Sequence, residues 1–153
     1  MLRKIKIYAD TSVFGGVFDD EFSEHSLLFF DLIDRDIFQL VISDVVRSEL
    51  SNAPKNIREF AEKYYSKSES AEVTLEAIKL QQMYIEAKIV SPKFITDALH
   101  VALATTSNCN MIISWNFKHI VNFQRIPQYN SINLVNGYNQ INIFSPSEVI
   151  YAE

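Results

Sequence analysis

Short apolar runs separated by longer helical segments constrain the fold of this 153-residue sequence more than any other feature. The runs at 4–9, 38–42, 111–113 and 141–144 have the length of strands, and 38–42 is nearly all apolar, as in a strand buried on both faces. Helical patterns separate these runs at 23–33, 44–50, 56–65, 71–89, 94–106 and 117–123. This alternation predicts an α/β fold of three layers, α/β/α, in which helices flank a mostly parallel central sheet.

Composition predicts one domain over residues 1–153 and no membrane segment. The chain is 48% hydrophobic and 22% charged, with only three Gly and four Pro, which is typical of a single globular unit. Its one cysteine, Cys109, cannot form an internal disulfide, and no apolar run has the length of a signal peptide core or of a membrane span. We therefore expect a reducing compartment, the cytoplasm. A net charge of −5 argues against binding nucleic acid by bulk electrostatics, but not against a nuclease that concentrates carboxylates around cations.

Three acids stand where a parallel sheet places its ligand site. Asp10 follows the first strand directly, Glu49 lies late in the 44–50 helix, and Asp97 lies on the strongly apolar 94–106 helix. Alone, Asp10 is also compatible with a capping role and Glu49 with a solvated helix face. Together, carboxylates from three segments predict one acidic pocket for a hard cation, Mg²⁺ or Mn²⁺.

Four segments resemble the motifs of PIN domains, in the same order and spacing. They are YADTS at 8–12, ISDVVRSEL at 42–50, DALHVALA at 97–104 and IISWN at 112–116, of which the third is the most specific. The resemblance covers nearly the whole chain. It implies a metal-dependent ribonuclease fold, of which the VapC-type toxins of bacterial toxin–antitoxin pairs are the commonest small members.

The fourth segment departs from the PIN pattern at Asn116. Active members of the family usually carry Asp at this position, and Lys118 stands where some members carry a further acid. An amide keeps an oxygen that can contact a cation or a water, but it brings no charge. The resemblance thus implies a catalytic set of Asp10, Glu49, Asp97 and Asn116, in which a second metal ion binds less tightly than a first.

Several neighbouring residues are candidates for supporting roles. Ser12 and Ser114 can bond the pocket carboxylates or a water. His100, one helical turn after Asp97, is expected to be a satisfied buried histidine, because Mg²⁺ does not prefer imidazole. Trp115 is compatible with nucleobase stacking and equally with core packing, and Cys109 is interpreted as a small hydrophobic residue rather than a nucleophile.

Three functions are compatible with these residues. The first is metal-dependent hydrolysis of RNA phosphodiester bonds, with RNA as substrate, an antitoxin protein as a possible partner and a homodimer as the expected assembly. A phosphatase of the haloacid dehalogenase type also begins with Asp after the first strand, but it needs a second acid two residues later, where this chain has Ser12. The third is a PIN-like module with weak or lost catalysis that binds RNA or protein, an alternative that Asn116 keeps open.

Overall fold

The computed structural model describes residues 3–152, which form a five-stranded, wholly parallel sheet flanked by helices. The strands are β1 (Ile5–Ala9), β2 (Phe38–Ser43), β3 (Glu69–Ala71), β4 (Met111–Ile113) and β5 (Asn142–Phe144). The helices are α1 (Thr11–Gly16), α2 (Ser23–Asp34), α3 (Asp44–Ser51), α4 (Lys55–Tyr65), α5 (Leu75–Glu86), α6 (Ile95–Thr106), α7 (Arg125–Val135) and α8 (Pro146–Val149), and a 3₁₀ turn at Pro92–Phe94 leads into α6. The predicted α/β fold class is confirmed, and the sheet, which was expected to be mostly parallel, is parallel throughout residues 3–152.

The strand order β3-β2-β1-β4-β5 puts β1 at the centre of the sheet. The chain first builds outward on one side through β2 and β3, then crosses back to build β4 and β5 on the other side. Ala9 pairs with Ile113, so β1 and β4 end side by side. The order of the strands reverses at this point, and the carboxyl ends of strands at such a switch point are where parallel sheets bind ligands.

The helices pack in two groups. Helices α1, α2, α3, α4 and α8 contact one another, and α5 packs on α6 and α7. The core between them is almost entirely apolar and includes fully buried Phe14, Phe29, Leu40 and Leu103. Within residues 3–152, no helix is both long enough and apolar enough to cross a bilayer.

The sequence pattern misassigned the segment 71–89. We expected one long helix, but the chain first completes the short edge strand β3 and only then begins α5 at Leu75, where the Thr74 hydroxyl accepts a hydrogen bond from the Ala77 amide. Strand β3 escaped detection because it has three residues, two of them exposed and polar. Such an edge strand carries no hydrophobic pattern to read.

The helix predicted at 117–123 is also absent, and a helix that was not predicted follows it. Residues 117–124 form turns, whereas α7 runs from Arg125 to Val135 with Pro127 in its first turn, where a proline is tolerated. Asparagines recur at every third position from 130 to 142, and the sequence pattern predicts turns and strand edges for them. Two of them, Asn130 and Asn133, are instead buried in α7. The Asn130 side chain donates to the Ile141 carbonyl and accepts from the Ile141 amide. The Asn133 side chain accepts from the Tyr84 hydroxyl and donates to Thr105 Oγ1.

Helix α2 has a different start and a different buried face from those predicted. Ser23 stands just before the apolar run of this helix, which predicts it as the N-cap. The N-cap position is instead Phe22, and the Ser23 hydroxyl donates to the Val17 carbonyl. Leu27 and Leu28, which the apolar pattern of the helix predicts to be buried, are exposed. By contrast, Ser43, which its position before Asp44 predicts as an N-cap, does cap α3 and accepts a hydrogen bond from the Val46 amide.

Candidate active site

Asp10 lies at the switch point of the sheet and is only 5% exposed. Its backbone amide donates to the Ile113 carbonyl, which extends the pairing of β1 with β4 by one residue. Although Asp10 occupies the N-cap position of α1, its side chain makes no capping hydrogen bond. The carboxylate is therefore not used to begin the helix.

Two serine hydroxyls hold the Asp10 carboxylate, one on each oxygen. Ser12 Oγ donates to Oδ1 at 2.5 Å, and Ser114 Oγ donates to Oδ2 at 2.6 Å. The serines are themselves fixed by the turn after β4, because Ser12 Oγ accepts the Trp115 amide and Ser114 Oγ accepts the Asn116 amide, both at 2.9 Å. The carboxylate is thus fixed in orientation by groups that carry no positive charge.

Burial raises the pKa of the Asp10 carboxyl above its ordinary value. The nearby His100 and the hydroxyls of Ser114 and Ser12 oppose this effect, and the negative charge of Glu49 adds to it. Among residues 3–152, no Lys or Arg forms an ion pair with Asp10, Glu49 or Asp97. An ionised Asp10 is therefore a costly buried charge that a cation at this place would stabilise.

Glu49 reaches the same region from α3. Its Oε1 accepts hydrogen bonds from Thr11 Oγ1 at 3.0 Å and from His100 Nε2 at 2.9 Å, while the side chain is 39% exposed. Burial tends to raise the pKa of Glu49, but the hydrogen bond and charge of His100, with Thr11, lower it overall. Glu49 is therefore held as a carboxylate at the edge of the site, not extended into solvent.

His100 is 3% exposed, and both of its ring nitrogens are occupied. Nδ1 lies 2.7 Å from the Tyr8 hydroxyl, which lies 2.8 Å from the cap hydroxyl of Ser43, and Nε2 faces Glu49. Burial lowers the pKa of His100, but Glu49, Asp10 and Asp97 together raise it above the ordinary value. All three predicted acids therefore lie within electrostatic reach of this one ring.

Asp97 is paired with His119, a residue that the sequence pattern did not single out. Asp97 Oδ2 lies 2.8 Å from His119 Nδ1, and the imidazole packs on the Phe94 ring with centroids 3.9 Å apart. The His119 carbonyl accepts the Tyr129 hydroxyl at 2.7 Å. His119 is 22 residues from Asp97, in a segment that the sequence pattern assigned to a helix. The contact could be predicted only from the turn that residues 116–119 form.

Asn116 caps the turn that carries His119. Its Oδ1 accepts the His119 amide at 3.0 Å, and its carbonyl accepts the amides of Ile120 and Val121. Lys118 is exposed, with its ammonium 5.5 Å from the Phe94 ring centroid. The fourth segment therefore connects to the third: Asn116 positions His119, and His119 contacts Asp97.

Two further candidates are buried. Trp115 is 9% exposed, stacks on Phe22 with centroids 4.3 Å apart, and donates its indole N–H to Ser26 Oγ, which places its ring in the core packing. Burial raises the pKa of the Cys109 thiol to about 12, so the thiol stays protonated and unreactive at neutral pH.

The donors fit a hard cation in chemistry, although they are not grouped as a finished ligand set. Carboxylate oxygens are what Mg²⁺ and Mn²⁺ prefer, and in the described part of the chain buried Asp10 has no charged neighbour of opposite sign other than His100. Within residues 3–152, however, no three His, Cys, Asp or Glu side chains stand close enough together to hold a metal ion. Histidines hold Glu49 and Asp97, so the assignment of the three acids as ligands stays a prediction.

Comparison with known proteins identifies the family. The PIN domain model matches residues 7–119, most of the chain, so this chain belongs to the PIN domain family and the resemblance drawn from the four segments is confirmed. No curated protein matches the sequence.

Two solved structures show the same fold. One is VapBC2 from Rickettsia felis bound to a DNA fragment from their promoter, with a TM-score of 0.59 and 12% identity over 92% of this chain and 98% of that chain. The other is FitAcB from Neisseria gonorrhoeae, with a TM-score of 0.56 and 9% identity over 94% of this chain and 99% of that chain. At these identities the likeness concerns the fold alone.

We predict that His119→Ala destabilises the protein by roughly 2 kcal/mol, because it removes the partner of Asp97 and leaves a gap beside Phe94. Denaturant unfolding monitored by circular dichroism measures this loss. His25→Ala, on the partly exposed side of α2, is the matched control and should change stability little. Equal losses in the two variants would show that the Asp97–His119 contact contributes nothing.

Proposed function

We propose that this PIN domain is a Mg²⁺- or Mn²⁺-dependent ribonuclease that hydrolyses RNA phosphodiester bonds. The observation that carries the proposal is Asp10, a buried carboxylate at the switch point of the sheet. Among residues 3–152, its oxygens accept hydrogen bonds only from two serine hydroxyls. Fixing a buried carboxylate in this way, with no basic group hydrogen-bonded to it among the described residues, is unfavourable for stability alone. It is the arrangement expected where a cation is the missing partner.

Asp10, Glu49 and Asp97 are the residues that would hold the cation, with Asn116 beside them. A bound divalent ion supplies an activated water and stabilises negative charge on the phosphate. The chain's own contribution is orientation: Ser12 and Ser114 fix Asp10, His100 holds Glu49, and His119 holds Asp97. Such supporting contacts determine how well carboxylates present their oxygens to a metal.

We further propose that the protein is the toxin of a toxin–antitoxin pair and acts in the cytoplasm. The likeness in fold to VapBC2 and FitAcB supports a PIN domain that works with a partner protein. A small adjacent gene that encodes a DNA-binding segment and a product that copurifies with this chain would support the pairing. Free expression of the chain without growth inhibition, in the presence of demonstrated ribonuclease activity, would contradict it.

Cleavage of single-stranded RNA by the purified protein tests the activity itself. We expect cleavage with Mn²⁺ or Mg²⁺, complete loss with EDTA, and recovery when the metal is restored. Activity that persists in EDTA would exclude this mechanism, because the proposed hydrolysis depends on the bound cation.

A second candidate function is an RNA- or protein-binding module with little or no catalysis. Two observations favour it. Asn116 lacks the negative charge usual at its position. Glu49 and Asp97 are each bonded to a histidine, and among the described residues the acids do not form a compact set of metal ligands. This alternative predicts RNA binding without cleavage at any metal concentration.

His100→Gln is predicted to preserve most of the affinity for Mn²⁺, whereas Asp97→Asn is predicted to lose it. The ring of His100 is fully engaged with Tyr8 and Glu49, so its part is to hold Glu49, while Asp97 would contribute an oxygen to the ion. Calorimetric titration with Mn²⁺ compares the two variants. Equal losses would place His100 on the metal and contradict this assignment.

A homodimer remains a proposal, although four apolar helix residues that suggest it in the sequence do not form an exposed surface. Tyr64 and Tyr84 are buried in the core, and Tyr65 and Met83 are partly buried against it. Exposed apolar residues lie instead at the end of α7, at Leu134 and Val135. We expect sedimentation to show a dimer at tens of micromolar, since an association of about −8 kcal/mol corresponds to micromolar affinity; a monomer throughout this range would contradict it.

A further inference from the structure

An open cleft of about 420 Å³ lies directly beside the Asp10 site. Its size falls in the range of roughly 300–1,000 Å³ that is usual for ligand pockets. It is bounded by the segment that follows β1 and by the turn that follows β4. Its lining residues are Ser12, Gly15, Gly16, Asp19, Phe22, Trp115 and Asn116.

One wall of the cleft is a rigid aromatic stack. The rings of Phe22 and Trp115 lie 4.3 Å apart at 23°, and the indole N–H is fixed on Ser26 Oγ at 2.9 Å. Gly16 makes this approach possible, since a Cβ there would lie 2.6 Å from Ser26 Oγ and 2.7 Å from Trp115 Nε1. The absence of a side chain at Gly16 therefore keeps the stack in place against α1.

The cleft and the acidic site share two residues. Ser12 lines the cleft and donates to Asp10, and Asn116 lines it and caps the turn that carries His119. A molecule whose phosphate reached Asp10 would therefore have its next group at the mouth of this cleft. The remaining polar wall is Asp19, which is exposed and uses one oxygen to accept the Glu21 amide.

We propose that this cleft binds one unpaired nucleobase of single-stranded RNA, next to the phosphate at the Asp10 site. The inference rests on the ribonuclease function proposed above and adds to it a substrate subsite. The base packs on the Phe22 side of the aromatic stack, and the Asn116 amide and the Asp19 carboxylate contact its polar edge. Every base presents a π-face, so the stack provides binding energy, and base-paired RNA is excluded because its bases are not free to enter.

A mixed wall of this kind favours a nucleobase over an apolar peptide side chain. The cleft joins a flat aromatic surface to an amide and a carboxylate, which suits a planar ring with polar edges. An apolar peptide side chain would leave the Asp19 carboxylate and the Asn116 amide without hydrogen-bond partners. Ser12 also lines both the cleft and the Asp10 site, where the phosphate would lie, and this connection likewise favours a nucleotide.

Trp115 is the only tryptophan in the chain, so its indole N–H gives a single NMR signal that reports directly on the cleft. The experiment adds a single-stranded RNA hexamer to the Asp10→Asn protein with Mg²⁺, which prevents cleavage during the titration. We expect a saturable shift of the indole signal. A blunt-ended RNA duplex, in which every base is paired, should leave the signal in place.

Matched substitutions at Phe22 separate stacking from packing. Phe22→Leu keeps an apolar side chain against Trp115 but removes the π-face, and it should weaken RNA binding roughly 10-fold, whereas Phe22→Tyr should stay within about twofold of the parent. Phe123→Ala, which removes an 81% exposed ring that does not line the cleft, is the control for nonspecific aromatic contact. Equal affinities for the Leu and Tyr variants, or RNA binding that leaves the indole signal unmoved, would overturn the proposal.

The outcome is independent of catalysis. A shifted indole signal in Asp10→Asn, together with wild-type protein that cleaves no RNA at any metal concentration, would contradict the ribonuclease function and retain the subsite. Metal-dependent cleavage by wild type with no effect of Phe22→Leu on RNA affinity would retain the function and remove the subsite.

Discussion

Asp10→Asn is expected to abolish metal-dependent RNA cleavage while leaving the fold intact. Asparagine has nearly the shape of aspartate, and its amide group can still bond the hydroxyls of Ser12 and Ser114, which donate or accept as needed. What is lost is the charge that would anchor the cation. We expect a decrease of at least about 1,000-fold in rate, since losing a single transition-state hydrogen-bond donor already costs 10²–10³ in many enzymes.

The same substitution should stabilise the metal-free protein. Burial raises the pKa of Asp10, so the folded state binds its proton more tightly than the unfolded chain does. This contribution to stability is fully present below the ordinary carboxyl pKa and is lost as the pH rises through the raised value. Asp10→Asn should therefore raise the Tm at pH 7–8 in EDTA, by roughly 2–4 °C per kcal/mol in a domain of this size, and the difference should shrink toward pH 4.

Asp97→Asn and Asp20→Asn are the matched comparisons. Asp97→Asn should also abolish cleavage, because it removes the negative charge of another of the three acids proposed to bind the metal ion. Asp20 is exposed, so Asp20→Asn makes the same chemical change outside the site and should leave both cleavage and Tm unchanged. Cleavage that survives in both Asp10→Asn and Asp97→Asn would contradict the proposed site.

The second large effect expected is a gain of function in Asn116→Asp. In a site that holds two divalent ions, each carboxylate offsets the repulsion between them as well as supplying an oxygen. An amide at this position leaves an oxygen donor but removes a full charge, and in a partly buried site that difference is larger than in water. The fold should accommodate this substitution, because aspartate caps a turn as well as asparagine does. One of its oxygens can still accept the hydrogen bond from the His119 amide.

The measurement is the concentration of Mn²⁺ that gives half-maximal cleavage. We expect Asn116→Asp to lower it about 10-fold, which corresponds to 1.4 kcal/mol of added binding energy. Asn122→Asp, at another asparagine whose side-chain oxygen accepts backbone amides, is the control for added charge outside the site. An unchanged Mn²⁺ requirement in Asn116→Asp would mean that this side chain does not face the ions or that one ion suffices.

Residues with strong local signals were predictable from the sequence. The buried strands and their parallel pairing followed from apolar runs, and Ser43 as a helix cap followed from its position before Asp44. The position of Asp10 at the carboxyl end of β1 followed from the same argument. Each of these depends on a few consecutive residues and on rules that hold for all parallel sheets.

The parts that could not be predicted depend on partners distant in the chain. His119 pairs with Asp97 across 22 residues, and Asn133 bonds Tyr84 and Thr105 across 49 and 28 residues. A buried asparagine and a turn asparagine look alike in sequence, so the difference between Asn133 and Asn136 appears only once α7 is packed on α5. The aromatic stack of Phe22 on Trp115 was hidden for the same reason.

The chemistry of the cut ends tests the central claim most directly. Wild type and Asp10→Asn are incubated with the same single-stranded RNA and Mn²⁺, and the product termini are identified by mass spectrometry. Attack by a water activated at a metal site leaves no 2′,3′-cyclic phosphate, so we predict wild-type products that lack this group and no such products with Asp10→Asn. Products that end in a 2′,3′-cyclic phosphate, or equal cleavage by the two proteins, would contradict the account.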